Sequence, residues 1–369
     1  MNQIGRALTN DYTVEIISSE YFNNKALIFS GLNNLKINFL DRLVYNEFLI
    51  FRLVNFLTYL KNGFKKRRST FGNNYFTKKY FKYGEKRSNL LRKKISESDL
   101  VLLVMQLHSN FAEEIIDFCY EKNIPCVFRT TGNVIEGNIK IEYLLKITHF
   151  FHHSNRTANK LFNLKVPYSI IDQSSLQEEQ LLKLKLKKEK NLRFGFLGRF
   201  TKEKGALELS EFFASRDEQF FIAGDGPLKN EILENIEFNV NCSYVGAVPQ
   251  DNLNFFFDKI DVFIVSSYEE AGPYTGLEAM AAGKIIISTR VGAMEDRLES
   301  TNNDFWFDIN EISTLDSAIR KLKSIETTDL ENISCNLRKK IVNTYSQSLI
   351  SELYLEKINN VVHRYCRTE

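Results

Sequence analysis

Residues 261–289, DVFIVSSYEEAGPYTGLEAMAAGKIIIST, contain the pattern that decides the fold of this chain. Residues 261–267 form a short, almost wholly apolar run rich in Val and Ile, and residues 284–288 form a second run of the same kind. Such runs are typical of parallel strands that are buried on both faces. The residues between them predict a helix, with Pro273 at its first position and Gly283 just past its end. We therefore predict a strand, a tight loop, a helix and a second strand.

Two glutamates, Glu270 and Glu278, flank the junction between this loop and its helix. A right-handed crossover places the loop at the carboxyl edge of the sheet, where ligands bind in open α/β folds. The N–H groups of Tyr274, Thr275 and Gly276 are expected to point from the helix N-terminus toward bound anions. Glu278 lies about 8 Å of axial rise into the helix, within reach of a ribose. The stretch alone is equally compatible with an ordinary capped helix and two solvated carboxylates.

Length and composition indicate a globular protein of two domains. The chain has 369 residues, of which 43% are hydrophobic and 26% charged, as in ordinary folded domains. Five scattered cysteines form neither a metal-type pair nor a disulfide framework, which favours a reducing compartment. The sequence has no uninterrupted apolar run of about 18 residues and no signal-peptide core at its N-terminus. We therefore expect a cytoplasmic protein.

Positive charge is concentrated in residues 61–94, which contain thirteen Lys and Arg and one acid, Glu85. This segment carries +12, so a chain with a net charge of +3 carries −9 elsewhere. Aromatic residues lie between the basic ones, as in segments that meet anionic lipid head groups. We predict peripheral binding at the inner face of the cell membrane, or binding of an acceptor there. The residues predicted to form this surface are Lys65, Lys66, Arg67, Arg68, Lys78 and Lys79.

Two alternatives for the basic segment remain open from the sequence. A nucleic acid could be bound by phosphate contacts and base stacking, and a solvated helix could turn its rings inward. No recognised nucleic-acid module surrounds the segment, so we expect no nucleic-acid partner.

Strands and helices alternate through most of the chain, which predicts two doubly wound, Rossmann-like domains facing across a cleft. The predicted domains are residues 1–177, which would bind the acceptor, and residues 191–344, which would bind a nucleotide sugar. Residues 178–190 are the predicted linker, and residues 345–369 a helix that crosses back to the first domain. The chain opens with a helix tail at residues 4–9 and a strand at residues 12–18. The first strand and Gly-rich turn of a doubly wound domain are therefore expected to be missing.

Five short motifs occur in a fixed order: GRFTKEKG, AGDGPL, YVG, EAGPYTGLEAMAAGK and VGAMED. Each alone is weak evidence, but their joint order and spacing are specific. In these motifs the chain resembles the retaining GT-B-fold glycosyltransferases of family four, the group 1 type. The resemblance runs in register over residues 192–298 and more loosely over most of the rest.

The resemblance implies a sugar transfer from a nucleotide-diphosphate sugar to a lipid-linked or surface-polysaccharide acceptor. Arg199 and Lys204 would hold the donor diphosphate, which suits the guanidinium fork and the ammonium point charge. Glu278 would accept hydrogen bonds from the ribose, and Glu270 would face the transferred sugar. Because cations and amides stabilise the leaving diphosphate, no metal or other cofactor is expected. The residues expected to bind the donor are Gly198, Arg199, Lys204, Gly224, Gly272, Tyr274, Thr275, Gly276 and Glu278.

The chain departs from the family pattern at three places. Gly272, Pro273 and Tyr274 replace a common Phe-Gly pair, a variant associated with capsule, lipopolysaccharide and O-antigen enzymes. Thr130 or Thr131 occupies the place where the family tends to have a histidine. His108, one strand earlier, is the nearest substitute as a catalytic histidine, although a lone histidine at a strand end is more often structural. The third departure is the missing first strand.

The missing strand keeps a second interpretation open, namely a catalytically impaired protein that binds a sugar nucleotide or a partner. A third interpretation, a GT-B-fold sugar-nucleotide epimerase, fits less well because the glutamate pair with GRFTKEKG is typical of the transferases.

Overall fold

A computed structural model describes residues 2–19, 35–61, 63, 75–132, 134, 140–186 and 191–366. The strands are β1 Glu15–Ser18, β2 Lys36–Phe39, β3 Val101–Met105, β4 Cys126–Thr130, β5 His149–His152, β6 Tyr168–Ile170, β7 Phe194–Leu197, β8 Phe220–Ala223, β9 Cys242–Gly246, β10 Val262–Val265 and β11 Ile285–Ser288. The helices of the first half are α1 Asn2–Leu8, α2 Leu40–Glu47, α3 Leu49–Lys61, α4 Tyr75–Lys79, α5 Tyr83–Ser96, α6 Ala112–Glu121, α7 Ile141–Leu144, α8 Asn155–Asn159 and α9 Glu178–Leu182. Those of the second half are α10 Ala206–Phe213, α11 Lys229–Ile236, α12 Leu253–Asp258, α13 Tyr274–Ala281, α14 Met294–Leu298, α15 Ser313–Lys323, α16 Thr327–Lys340 and α17 Gln347–Cys366.

The chain divides into two compact units. Unit 1 comprises Met1–Arg129, Ile139–Phe150 and Ser351–Glu369, and unit 2 comprises Thr130–Asn138 and Phe151–Ile350. The predicted domain limits at residues 177 and 191 stay a prediction. Residues 178–182, predicted as linker, form helix α9 in unit 2, because Leu181 is fully buried and the helix packs on α12 and α13.

Unit 2 is organised around the five-stranded sheet, whose order is β11-β10-β7-β8-β9. Neighbouring strands are parallel, and β7, β10 and β11 are buried along their whole length. Parallel strands covered by helices on both faces have no solvent side, which explains the unbroken apolar runs in the sequence. The strand order is that of a doubly wound sheet, with the topological switch point between β7 and β10.

The N-terminal half contains a parallel pair, β1 and β2, and a four-stranded sheet of order β3-β4-β5-β6. The helix predicted at residues 4–9 and the strand predicted at residues 12–18 are confirmed as α1 and β1. In unit 1, Val44, Phe51 and Tyr83 form a small core where α2, α3 and α5 meet. The Tyr83 hydroxyl donates a hydrogen bond to the carboxylate of Asp41 within this core.

Within the described ranges, no single helix combines the length and hydropathy of a membrane span; α2 and α3 reach these values only as a pair, with 102° between them.

Candidate functional site

The loop after β7 carries the first predicted site residues and is tied by hydrogen bonds to the end of β8 and the loop that follows it. The Gly198 N–H donates to the Ala223 carbonyl over 3.1 Å, and the N–H of Phe200 donates to the Asp225 carbonyl over 2.9 Å. Arg199, between them, is exposed to solvent. The backbone is therefore fixed by hydrogen bonds while the guanidinium stays available to a ligand.

Two glycines let these loops approach more closely than a side chain would allow. Gly224 has φ +148°, and a Cβ there would lie 1.9 Å from the Gly198 carbonyl oxygen. Gly205, which opens α10 at φ +66°, would place a Cβ 2.2 Å from the carbonyl oxygen of Ser266. Only glycine fits such contacts with a positive φ. The motif residue Gly224 is thus required by packing, and its predicted donor contact stays a prediction.

The loop from β10 to α13 meets the β7 loop through side chains as well as backbone. The Ser266 hydroxyl donates to the Lys204 carbonyl over 2.8 Å, and the Tyr268 N–H donates to the Glu203 carbonyl over 2.9 Å. Lys204 Nζ donates directly to the Glu270 carboxylate, which also accepts from the Ser267 hydroxyl. The structure therefore brings together the predicted diphosphate ligand Lys204 and the predicted sugar contact Glu270 as an ion pair.

The start of α13 differs in two details from its prediction. Pro273 is the N-cap, and the helix begins at Tyr274. The Gly276 N–H donates to the Pro273 carbonyl over 3.1 Å, so the expectation that this amide points freely at a ligand is wrong. This bond closes the first turn of the helix from the N-cap carbonyl. Separately, Gly276 packs closely on Met294, where a Cβ would lie 2.7 Å from its Sδ. Among the described residues, no backbone carbonyl accepts from the N–H of Tyr274 or Thr275.

The end of α13 agrees with its prediction. Gly283 follows the helix at φ +65°, and its N–H donates to the Met280 carbonyl over 2.9 Å. The Lys284 N–H donates to the Ala279 carbonyl, also over 2.9 Å. This is the Schellman arrangement that glycine permits. The helix is therefore fixed at both ends, which also fixes the position of Glu278 on it.

Glu278 is a buried carboxyl group, with 3% of its surface exposed. Burial raises its pKa to about 8, and none of the described residues donates a hydrogen bond to its carboxylate. A buried acid without donors is neutral at pH 7. A ligand that brings hydroxyl donors to this position would stabilise the ionised form.

The raised pKa of Glu278 makes stability depend on pH. In the unfolded chain this carboxyl ionises near pH 4.5, whereas in the folded protein it keeps its proton up to about pH 8. Folding is therefore opposed increasingly as pH rises from 4.5 to 8, and the penalty is absent below that window. We expect E278Q, which has no proton to lose, to be more stable than the parent by about 2–4 kcal/mol at pH 8 and equal to it at pH 4.5.

Urea unfolding of both proteins at pH 4.5, 6, 7 and 8 measures this difference. The exposed Glu237, on the same unit, provides the control variant E237Q, which should follow the parent at every pH. If the difference between E278Q and the parent does not grow with pH, the assignment of a neutral Glu278 is wrong.

A buried cluster under the glutamate loop was not found from the sequence. Arg297, fully buried, donates to Asp172 from Nε over 2.7 Å and from Nη2 over 2.8 Å. Its Nη1 donates to the Pro273 carbonyl, and a Cβ on Gly272 would lie 2.9 Å from Nη2. His153 Nδ1 lies 3.7 Å from the Asp172 carboxylate. Gly272, predicted to bind the donor, therefore rests on an ion pair that also anchors the next residue.

Electrostatics explain why this pair tolerates burial. Desolvation alone would raise the pKa of Asp172, but the Arg297 guanidinium and His153 hold it well below its usual range. The sequence signal was weak, since Asp172 is a single acid after an apolar strand and Arg297 is a single base after VGAMED.

Tyr274 also ties the helix start to the chain before α9. Its hydroxyl accepts a hydrogen bond from the Leu176 N–H over 2.7 Å, and burial is the main cause that raises the pKa of this phenol. The side chain thus positions the α13 N-terminus. The predicted contact between Tyr274 and the sugar donor is made by the backbone N–H, and it stays a prediction.

The remaining predicted residues lie in unit 1 or outside the described ranges. His108 is exposed in the turn after β3, and its catalytic role stays a prediction. Lys78 and Lys79 are exposed on α4. Lys65, Lys66, Arg67 and Arg68 lie outside the described residues.

Four aromatic side chains of the basic segment that the structure describes divide into two groups. Tyr83 is buried and Phe81 packs against the same core, as the alternative with inward rings expects. Tyr75 and Tyr80 are 62% and 60% exposed.

In the parts of the chain that the structure describes, no group of three or more His, Cys, Asp or Glu is arranged to hold a metal ion. Cys119, Cys126, Cys242 and Cys335 are free thiols. The expectation of a metal-independent reaction stays a prediction.

Comparisons with known proteins relate part of this chain to a family of glycosyl transferases. The model described as "Glycosyl transferases group 1" matches residues 177–342. The chain is 24% identical over 249 residues to the capsular polysaccharide biosynthesis glycosyltransferase CapM of Staphylococcus aureus. The matched region is 65% of this chain and 62% of CapM. The chain is also 27% identical over 151 residues to the UDP-Gal:alpha-D-GlcNAc-diphosphoundecaprenol alpha-1,3-galactosyltransferase of Escherichia coli. This matched region is 39% of this chain and 38% of that enzyme.

The curated relatives are matched over only part of their length, from 25% to 62%. By contrast, the likeness to a solved glycosyltransferase from Rickettsia africae ESF-5 covers 98% of this chain and 93% of that one, with a TM-score of 0.68 at 17% identity. This likeness confirms the predicted GT-B fold. Over residues 177–342, this chain matches the family of group 1 glycosyl transferases.

Proposed function

We propose that the protein is a retaining glycosyltransferase that moves a sugar from a nucleotide-diphosphate sugar to a lipid-linked or surface-polysaccharide acceptor. One observation carries this proposal: the loops after β7 and β10 are joined at the switch point of the sheet. Ligands of doubly wound sheets bind at such a point. There the ammonium of Lys204 meets the carboxylate of Glu270, and α13 begins at the end of the second loop, which is a chemistry suited to a nucleotide sugar.

The ribose end of the donor is assigned to Glu278. This buried carboxyl has no donor among the described residues, and a ribose diol would supply two O–H groups. Hydrogen bonds to a carboxylate favour its ionised form. Donor binding is therefore proposed to replace the proton on Glu278 with the two ribose hydroxyls.

The diphosphate end is assigned to Arg199, Lys204 and the N–H groups of Tyr274 and Thr275. Lys204 is paired with Glu270, with side chains that are 29% and 15% exposed. An arriving diphosphate would compete for the Lys204 ammonium and release the Glu270 carboxylate toward the transferred sugar. As the bond to the sugar breaks, these cations and amides stabilise the charge that grows on the leaving diphosphate. We propose on this basis that the reaction needs no metal ion.

The acceptor class is proposed from the relatives and from the charge of unit 1. The name of the Escherichia coli relative describes a UDP-sugar donor and an acceptor on diphosphoundecaprenol. CapM is named for capsular polysaccharide biosynthesis. A basic unit 1 would bind the diphosphate of such an acceptor or the membrane surface that carries it.

A panel of UDP-, GDP- and other nucleotide sugars, tested by thermal shift, examines the donor assignment. A donor present at 100 times its dissociation constant stabilises the folded state by about 2.7 kcal/mol. We expect one nucleotide class to raise the melting temperature of the parent, with or without EDTA, and to raise that of R199A much less. K202A, which changes an exposed lysine of the same loop, is the matched control.

If no nucleotide sugar shifts the melting temperature, the donor assignment is wrong. If a shift is lost on adding EDTA, the proposal of a metal-independent reaction is wrong. Transfer itself is then measured with the donor that binds, and the anomeric configuration of the product is read by NMR. An inverted product would rule out the retaining mechanism.

A further inference from the structure

Helix α3 exposes a continuous apolar face to solvent. The exposed side chains recur at the spacing of one helix face, and their exposed fractions run from 40% to 70%. We call this set the α3 outer face: Leu49, Leu53, Phe56, Leu57 and Leu60. Single exposed apolar residues are normal, but a contiguous apolar patch marks an interaction site.

The opposite side of α3 packs into the core of unit 1. Phe51 is fully buried, its ring packs edge-on against that of Tyr83 at 5.5 Å, and Ile50 packs against the same cluster. The α3 outer face therefore does not serve this core. Its apolar composition has to be explained by contact with something else.

The charges on α3 itself are positive. Arg52 and Lys61 are exposed, and α3 contains no acidic residue. Residues 75–94 add eight Lys and Arg against one acid, Glu85. Lys78 and Lys79 have no carboxylate partner among the described residues. A partner of complementary charge is therefore anionic.

We propose that the α3 outer face docks on an anionic lipid bilayer, with its leucines and phenylalanine inserted at the level of the head groups. This proposal rests on the proposed function for its purpose, the approach to a lipid-linked acceptor. Its chemistry comes from an amphipathic helix that combines an apolar face with basic residues, which lies in the plane of the interface. Thirteen residues give a helix about 20 Å long, which is too short to cross a bilayer.

A second copy of the chain fits this face less well. A symmetric dimer would bring the same surface of both copies together, and with it the positive charges of Arg52 and Lys61. Like charges at a dry interface cost free energy, whereas anionic head groups at the rim of an inserted helix lower it.

Flotation with vesicles tests the proposal. Vesicles of phosphatidylcholine alone are compared with vesicles that also contain the anionic lipid phosphatidylglycerol, each at low and at high salt. We expect the parent to bind the anionic vesicles, and the variant L53S/F56S/L57S to bind with a partition coefficient lower by about tenfold or more. K78A/K79A should weaken binding and make it less dependent on salt.

The matched control is F238S/V240S, which removes two side chains of unit 2 that are 90% and 95% exposed. It should bind vesicles as the parent does. The variants alter exposed side chains, so their melting temperatures should equal that of the parent, which excludes unfolding as the cause of lost binding.

Unchanged binding of L53S/F56S/L57S, or equal loss in F238S/V240S, would overturn the proposal. A shift from dimer to monomer in that triple variant, with vesicle binding retained, would assign the face to a second copy instead. The thermal shift with nucleotide sugars tests the proposed function separately from membrane docking. A triple variant that loses vesicle binding but keeps the thermal shift supports docking. A parent protein without any thermal shift would refute only the donor assignment.

Discussion

Replacing Lys204 with methionine is expected to lower kcat of the proposed transfer by about 10²–10³-fold, the effect of removing one preorganised group that stabilises developing charge. Lys204 is held by its backbone and not only by its charge, because its carbonyl accepts from the Ser266 hydroxyl and the following Gly205 packs on the Ser266 carbonyl. The methionine would keep the length of the stem and lose the ammonium. Fold and melting temperature should therefore change little.

The control for K204M is K202A, on the same short helical turn, Lys202–Lys204. Lys202 is exposed, and its loss should leave kcat within about twofold of the parent. A K204M protein with more than half of the parent kcat would remove Lys204 from the proposed mechanism.

The variant E270Q, which changes the ion-pair partner of Lys204, distinguishes two roles of Glu270. If Glu270 only restrains Lys204, its neutralisation frees the ammonium, tightens donor binding and leaves kcat intact. If Glu270 faces the reacting sugar as proposed, kcat falls even though the donor binds. The comparison of Kd for the donor with kcat in the same variant distinguishes the two roles.

Breaking the Arg297–Asp172 pair is expected to destabilise unit 2 by about 3–5 kcal/mol. R297M leaves the Asp172 carboxylate buried without its guanidinium, and D172N leaves the guanidinium without its counter-charge. Both side chains are almost wholly buried, at 0% and 4% exposure, so neither can turn to water. The chain has a single tryptophan, Trp306 in unit 2, whose fluorescence reports the unfolding of this unit in urea.

Two comparisons make this prediction specific. R320A removes a base that is 77% exposed and paired with Asp316, and should cost no more than about 0.5 kcal/mol. The double variant D172L/R297M removes both charges and should recover much of the lost stability. If R297M unfolds at the same urea concentration as R320A, the buried pair does not contribute as described.

The pair also predicts an effect of acid and an effect on the site. Because the pKa of Asp172 is held below that of the unfolded chain, its contribution is present above about pH 4 and is lost as pH falls through the folded pKa. Arg297 holds the Pro273 carbonyl and lies under Gly272. R297M should therefore weaken donor binding as well, in proportion to the displacement of the α13 N-terminus.

Much of the architecture of unit 2 could be predicted because its signals are local. A strand buried on both faces needs an unbroken apolar run, a helix that stops at Gly283 needs a residue tolerant of positive φ, and parallel strands force loops such as that of Lys204 to one edge. The error at α13 concerns a single hydrogen bond. The Gly276 N–H donates to the Pro273 carbonyl within the first turn, a detail that apolar runs and capping residues do not record.

By itself, the sequence determined the order of most strands and helices, the edge of the sheet where the motif residues gather, and the family that the motifs resemble. Only the tertiary structure decided which of these residues meet: Lys204 with Glu270, and Arg297 with Asp172, 125 residues away. It also decided that Glu278 is buried without a donor and that the apolar residues of α3 face outward. Composition and periodicity fix which face of a helix is apolar, whereas burial and pairing depend on contacts between residues that are far apart in the chain.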